Sequence, residues 1–280
     1  MLRLTRLSLV TVLILLLTGC SNLTSLLFYP QQQYLRTPTD IGLVYEEVTT
    51  YAADGIEINS WFLPAMPSKN GEQDDSPIVL FLHGNAENIS THIGSVYWLP
   101  EQGVSVFLLD YRGFGHSKGD PYIPAIFQDV ESTLAWIRAR FPQRKVFILG
   151  QSIGSAIAVT SMALFKDEYK LSGLVLDSTF TGYRDIAQEV TGRSFITWLA
   201  WPFTWLLPTR WDPQEYIAQI APSPILMFHS KADPVLPYEL GNELYQKAQG
   251  PKQWHESKGG HIQSFNFEEY RQLLLNFLHN

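Results

Sequence analysis

Val146-Phe-Ile-Leu-Gly-Gln-Ser-Ile-Gly-Ser-Ala-Ile-Ala-Val159 decides how this chain of 280 residues is read. Val146 to Leu149 is a run of four apolar residues, two of them β-branched, and has the character of a buried strand. The run stops at Gly150, and from Ser152 onward small and apolar residues continue at helical spacing. A G-x-S-x-G sequence on such a strand-to-helix junction turns sharply enough to push the Ser152 hydroxyl out at the helix N-terminus. Gly150 and Gly154 follow from the same turn, because a side chain at either would clash where strand and helix backbones approach. The pattern is that of a nucleophilic serine.

The same five-letter pattern recurs at Gly115-His-Ser-Lys-Gly119, and context separates the two. This second match follows the apolar run Val104–Leu109 only after Asp110-Tyr-Arg-Gly-Phe, and Asp120-Pro121 comes next in place of an apolar helix. Without a strand immediately before and a helix immediately after, the turn is not specified. Ser117 is read as a loop residue.

Working outward, strand and helix patterns alternate. Strand-like stretches at Val44–Tyr51 and Ile56–Leu63 flank the turn signal Ala53-Asp54-Gly55, and a polar loop runs from Ser68 to Pro77. Further strands are predicted at Ile78–Leu82, Val104–Leu109, Val146–Leu149, Gly173–Leu176, Ile225–Phe228 and Lys252–Glu256. Helical patterns fill the gaps at 89–101, 125–140, 153–165, 213–220, 238–248 and 264–278. An antiparallel start followed by repeated strand–helix units predicts an α/β fold with a mostly parallel central sheet covered on both faces. Reactive groups in such sheets gather beyond the carboxyl ends of the strands. Phe195 to Pro208 breaks the alternation: it is apolar on all sides and too short to span a bilayer. It is a core helix, an apolar cap insertion of about 183–211 over the site, or a membrane-leaning patch.

Composition sets outer bounds. A chain that is 45% apolar can bury a large core, and a net charge of −7 with no basic cluster excludes a nucleic-acid backbone as partner. Metal-ligand spacings of Cys and His are absent, and no cofactor-binding glycine loop is found. Arg3 and Arg6 precede the apolar run Leu7–Leu17, the layout of an export signal over 1–19. It ends in Leu17-Thr-Gly-Cys20, which resembles the lipobox of bacterial lipoproteins. That resemblance implies cleavage before Cys20, the chain's single cysteine, and its lipidation; an ordinary signal peptide and an uncleaved anchor are the alternatives. Ser21 after the cysteine implies the outer membrane of a Gram-negative envelope. Residues 20–40, with Pro30, Gln31-Gln-Gln33 and Pro38, read as a lipidated tether, and 41–280 as the folded domain.

A serine hydroxyl needs a base to take its proton and a third group to orient that base. Of the seven histidines, His261 follows the last strand in the glycine-framed turn Lys258-Gly-Gly-His261, at the carboxyl edge of the sheet. Asp233 follows the Ile225–Phe228 strand in a loop stiffened by Pro234 and Pro237, while Asp177, after Gly173–Leu176, is its rival for the acid. The backbone N–H of Ile153 and that of Asn85, in the loop His83-Gly-Asn-Ala86, are positioned to receive an oxyanion. The order Ser152, Asp233, His261 is that of α/β-hydrolases.

These motifs, with Asp110-Tyr-Arg-Gly-Phe-Gly115, resemble the serine α/β-hydrolase superfamily over residues 40–280. Within it they resemble the branch with an HGNA loop, which contains eukaryotic protein depalmitoylases and many bacterial hydrolases. The resemblance implies an α/β-hydrolase fold, a Ser-His-Asp triad and acyl-transfer hydrolysis without a cofactor; the expected reaction is cleavage of an ester or thioester of an apolar acyl group, such as palmitate. The resemblance transfers no substrate; a small-molecule or lipid acyl substrate is expected from the apolar 195–208 stretch as a wall of the site. Envelope peptidase or amidase activity, and a lipid-anchored binding protein on a hydrolase fold, are the alternatives.

Overall fold

The computed structural model describes residues 20–66, 75–193 and 195–280. The leader 1–19 and most of the polar loop 68–77 lie outside them. Eight strands form the main sheet: β1 (Glu46–Tyr51), β2 (Glu57–Leu63), β3 (Ile78–Leu82), β4 (Ser105–Leu109), β5 (Val146–Gln151), β6 (Leu171–Asp177), β7 (Ile225–Ser230) and β8 (Lys252–Ser257). Their spatial order is β8-β7-β6-β5-β3-β4-β2-β1. Only β2 runs against the rest, pairing antiparallel with β1 and β4. The crossovers carry α1 (Ala125–Arg140), α2 (Ile153–Phe165), α3 (Tyr183–Gly192), α4 (Tyr238–Lys247) and, after β8, α5 (Glu268–His279).

Period-two alternation sends successive strand residues to opposite faces, and each face has its own core. Ile78, Leu80, Leu82, Ile148 and Leu174 pack with Ile126, Val130 and Leu134 of α1 and Ile157 and Met162 of α2. Val79, Phe81, Leu149, Val175 and Phe228 pack on the other side with Ile93, Leu99, Leu274 and Phe277. Every residue of β3 is fully buried, as expected of a central parallel strand covered on both sides. No helix of the described residues is long and apolar enough to cross a membrane.

Three expectations need correction. The helix expected over 89–101 is broken into Ile89–His92, a 3-10 turn Ile93–Ser95 and another at Pro100–Gln102. Gly94 lowers helix propensity there and Pro100 lacks an N–H, so the apolar residues pack without a continuous helix. The core-helix reading of 195–208 fails too. That stretch folds into the short turns Phe195–Trp198 and Trp201–Leu206, and Phe195, Leu199 and Trp205 lie in solvent.

The third correction concerns the tether. The chain from Leu23 to Leu35 is docked on the domain. Thr24 exchanges hydrogen bonds with Ile123, Phe28 is buried, and Tyr29–Pro30 pairs in parallel with Ala86–Glu87. Asn88 Nδ2 donates to the carbonyls of Gln31 and Gln33, and Tyr34 Oη donates to Asp110 Oδ2 at 2.8 Å. The prolines and glutamines that suggest a linker sit between the apolar and aromatic residues that do the packing.

One buried ion pair joins the sheet to its covering helix. Arg112, just past β4, is 2% exposed and meets Asp129 of α1 through Nε, Nη2 and its backbone N–H, the shortest contact being 2.7 Å. Its Nη1 reaches Asp54 in the β1–β2 turn at 2.8 Å. Asp129→Ala leaves a buried guanidinium half-unpaired and should cost about 3–5 kcal/mol in urea unfolding. Asp54→Ala, at the exposed end of the same network, should cost about 1 kcal/mol or less. Equal losses would refute the view that burial of the Asp129 contact sets the difference.

Candidate active site

At the C-terminal end of β5 the chain turns through Ser152 and enters α2. Ser152 has φ +56° and ψ −126°, a conformation that costs a non-glycine residue on the order of 1–3 kcal/mol. The turn is held by Ser152 N–H donating to Asp177 O at 3.1 Å and by Ser155 donating back to Ser152 O. A Cβ at Gly150 would run into the Gly154 carbonyl, and one at Gly154 into the carbonyls of Leu82 and His83. Both glycines are therefore demanded by the approach of α2 to β3 and β5.

Ser152, His261 and Asp233 come together from three separate loops. Ser152 Oγ lies 2.9 Å from His261 Nε2, and His261 Nδ1 lies 2.8 Å from Asp233 Oδ2. Asp233 Oδ1 accepts the N–H groups of Val235 (2.8 Å) and Leu236 (2.9 Å). Burial alone would raise the Asp233 carboxyl, but the His261 hydrogen bond and charge and the two backbone donors outweigh it and lower the group to about 2. The acid is ionised at neutral pH, which fixes Nδ1 as the protonated nitrogen and leaves Nε2 as acceptor toward Ser152. His229 is buried behind Asp233 and kept neutral by that burial, with Nε2 donating to Leu236 O.

Asp177 takes a different place. Its Oδ2 accepts Gln151 Nε2 at 2.8 Å and its Oδ1 accepts Ser264 Oγ at 2.6 Å. Gln151 Nε2 also lies 3.4 Å from Ile262 O, and Ile262 N–H donates to Ser178 Oγ. Asp177 thus fastens the turn after His261 to the ends of β5 and β6. Complete burial pushes its carboxyl up to about 6 despite the two donors.

Asn85 and Ile153 both border the cavity with Ser152. Ile153 is the first residue of α2, where N–H groups have no intrahelical acceptor, and neither amide has an acceptor among the described residues. The Asn85 loop is braced from every side. Tyr111 Oη donates to His83 O, Asp110 Oδ1 accepts Ile89 N–H, and His83 Nδ1 donates to Gly84 O. The N-terminal segment completes the brace, with Tyr29 N–H donating to Asn85 O at 2.7 Å and Asn85 Nδ2 to Leu27 O at 3.3 Å. Ser117, the second serine in a G-x-S-x-G, is buried; its Oγ donates to Asp110 O and accepts Asn59 N–H.

A cavity of about 630 Å³ opens above Ser152. It is lined by Leu23, Leu26 and Leu27 of the N-terminal segment and by Ile186, Val190, Phe203 and Leu206 of the 183–211 insertion. None of the described lining residues carries a charge. Arg193 ties the insertion to the Asp233 loop by donating to Pro234 O and Val235 O. Sequence reasoning missed the wall from Leu23 to Tyr29, Gln151, Ser264 and Arg193. Only Leu23, Leu26 and Leu27 left a signal, an apolar spacing inside an otherwise polar stretch. Among the described residues no cluster of three or more His, Cys, Asp or Glu could hold a metal ion.

With this geometry in hand, comparison with known proteins gives a consistent picture. The family model described as serine aminopeptidase, S33 matches residues 73–221, a span that includes Ser152 and ends before Asp233. The uncharacterized protein YfhR of Escherichia coli O157:H7 is 36% identical over 243 residues, covering 83% of this chain and 80% of that one. The lysophosphatidylserine lipase ABHD12 of Xenopus tropicalis is 28% identical, covering 91% of this chain and 75% of its own. Among solved structures, the Pyrococcus furiosus esterase Pf2001 superposes with a TM-score of 0.71 at 19% identity, over 90% of this chain and 97% of that one. That structural likeness establishes the fold.

Asp177 generates a pH prediction. Unfolded, it ionises near pH 4; folded, only near 6. Folding therefore carries a penalty that is absent below about pH 4 and complete above about 6, so this group's contribution to stability falls as pH rises. Asp177→Asn keeps the contact to Ser264, and a flipped Gln151 amide can accept from it. Relative to the native protein, the variant should gain on the order of 2–3 kcal/mol between pH 4 and pH 7, read by urea unfolding at each pH. A difference independent of pH would mean that the Asp177 carboxyl titrates normally.

Proposed function

The chain belongs to the serine α/β-hydrolase superfamily, within the family described as serine aminopeptidase, S33, and from that premise we propose that it hydrolyses carboxylic esters or thioesters of apolar acyl groups through an acyl-enzyme on Ser152. The observation that carries this reading is the hydrogen-bonded series Ser152 Oγ–His261–Asp233 at the base of an uncharged, apolar-walled cavity. Its volume, about 630 Å³, lies within the range of pockets that enclose small ligands.

In the reaction, Ser152 Oγ attacks the acyl carbon while His261 Nε2 takes its proton. Asp233 stabilises the imidazolium so formed. The N–H groups of Asn85 and Ile153 receive the negative charge developing on the carbonyl oxygen, each donor contributing about 10²–10³ in rate. The tetrahedral adduct collapses by breaking the C–O or C–S bond, and His261 gives its proton to the departing alcohol or thiol. Water, deprotonated by His261, then attacks the acyl-enzyme and releases the acid and Ser152.

The family description raises amide cleavage at a free amino terminus as a second reading. Recognition of a terminal ammonium calls for a carboxylate beside the nucleophile, and no charged residue is among the described residues lining the cavity. Acyl esters fit those walls better, and the likeness to a lysophosphatidylserine lipase points the same way. We also assign Cys20 as a lipidation site that holds the enzyme on the bacterial envelope, the outer membrane in a Gram-negative cell, as the sequence Leu17-Thr-Gly-Cys20 suggests.

Three measurements test this: adduct mass, ester kinetics and membrane labelling. Intact mass of the purified full-length protein after fluorophosphonate treatment should gain one adduct that Ser152→Ala lacks. That variant should also lose about 10⁴-fold or more in kcat/KM on acyl esters, and kcat/KM of the native enzyme should rise with acyl length. A native protein that binds acyl esters without turnover would support the binding-protein reading instead; faster hydrolysis of aminoacyl amides than of esters would support the peptidase. Cys20→Ala should move the protein out of a lipid-labelled membrane fraction, and unchanged labelling would reject Cys20 as the site.

A further inference from the structure

Six of the seventeen large apolar side chains exposed among the described residues fall within the twelve-residue stretch Phe195–Leu206. Phe195 is 81% exposed, Leu199 63% and Trp198 55%, and the rings of Phe195 and Trp198 stack at 6.4 Å. Inner residues of the same stretch, Ala200 and Thr204 among them, line the cavity over Ser152. The segment therefore has one face toward the site and one apolar face toward solvent.

Three further observations identify what covers that outer face. The chain carries 27 acidic residues, yet none lies between Val190 and Trp211, where Arg193 and Arg210 stand. Tryptophan-rich apolar surfaces flanked by arginine suit the boundary of an anionic bilayer. Leu26, which also lines the cavity, is 69% exposed and belongs to the 3-10 helix Cys20–Leu27. Cys20, where the apolar leader joins, lies about 6 Å along that helix from Leu23, given its rise of about 2 Å per residue. The lipidation of Cys20 proposed above would place its acyl chains in the membrane close to this face.

We propose that Phe195, Trp198, Leu199, Phe203 and Trp205, with Leu26, form a membrane-docking surface that seats the cavity mouth on an anionic bilayer. The cap side chains enter the interfacial layer, and an acyl chain reaches Ser152 from the leaflet without crossing bulk water. This last consequence rests on the acyl-hydrolase reading above, whereas the docking itself does not.

The test uses full-length protein reconstituted in phosphatidylethanolamine–phosphatidylglycerol vesicles, with and without lipid brominated on the acyl chains. Tryptophan emission should fall by roughly a quarter in brominated vesicles, the share of Trp198 and Trp205 among the eight tryptophans. Phe195→Glu/Leu199→Glu changes two residues outside the cavity lining. It should still float with the vesicles and hydrolyse a soluble short-chain ester at the native rate, but lose most of the quenching. Native protein that floats without more quenching than the variant would overturn the proposal, as would native protein that fails to float. Crosslinking of two copies through Trp198 in unquenched native protein would assign the face to a dimer instead. Absence of ester turnover in the native protein, with quenching intact, would strike the hydrolase reading and leave the docking surface standing.

Discussion

The close approach of α2 to β3 and β5 is the constraint from which the site follows. At Gly154 the carbonyls of Leu82 and His83 leave no room for a Cβ, and at Gly150 the Gly154 carbonyl does the same. That contact forces the chain through Ser152 with a positive φ, lifts Oγ away from the helix, and brings the Ile153 amide beside the His83–Asn85 loop. Two other non-glycine residues with positive φ, Ser178 at +58° and Ile262 at +52°, adjoin the same site and hydrogen-bond to each other. Strain of about 1–3 kcal/mol per residue persists only where neighbours over-determine the backbone. Here the neighbours are the Asp177 carbonyl and carboxylate, which hold the Ser152 turn and the turn after His261 together.

Two buried carboxylates stand near His261, and their surroundings divide their tasks. Asp233 gains more from the His261 ring and two backbone N–H groups than it loses by burial, and it stays ionised to about pH 2. Asp177 has only a neutral amide and a hydroxyl for donors, so burial dominates and its carboxyl rises to about 6. In the proposed reaction the charge that answers a forming imidazolium belongs on the first. The second serves as a clasp between β5, β6 and the turn after His261, where neutral hydrogen bonds suffice.

Most of the sheet was legible because a central parallel strand has a one-dimensional signature: apolar residues at every position, bounded by polar turns. β3, β5 and β7 need no partner information to be recognised. The hydrogen-bonded series Ser152–His261–Asp233 was legible for a related reason, since each member follows a strand and the strands' carboxyl ends share an edge. Asp177 satisfies that rule as well as Asp233 does. Only the position of the His261 ring separates them, and that is set by long-range packing. The Leu23–Tyr34 segment was misread because its polar residues are conspicuous and its contacts distant. Thr24 meets Ile123 and Tyr34 meets Asp110, separations of 99 and 76 residues that no local pattern encodes. The 89–101 helix failed for the opposite reason, its apolar spacing being right while Gly94 and Pro100 break the backbone.

The same docked segment changes what counts as the site. It supplies one wall of the cavity, and through the Tyr29 N–H and the Leu27 carbonyl it grips Asn85 on both its backbone and its side chain. In the proposed reaction Asn85 presents its own N–H within hydrogen-bonding reach of a forming oxyanion, where a shift of an ångström removes most of the benefit. A chain that began at residue 41 would keep Ser152, Asp233 and His261 and still have an unbraced donor and a cavity open on one side. The stretch that begins at Cys20 is therefore continuous with the candidate site, because the residues that follow Cys20 are the ones that hold Asn85 in place.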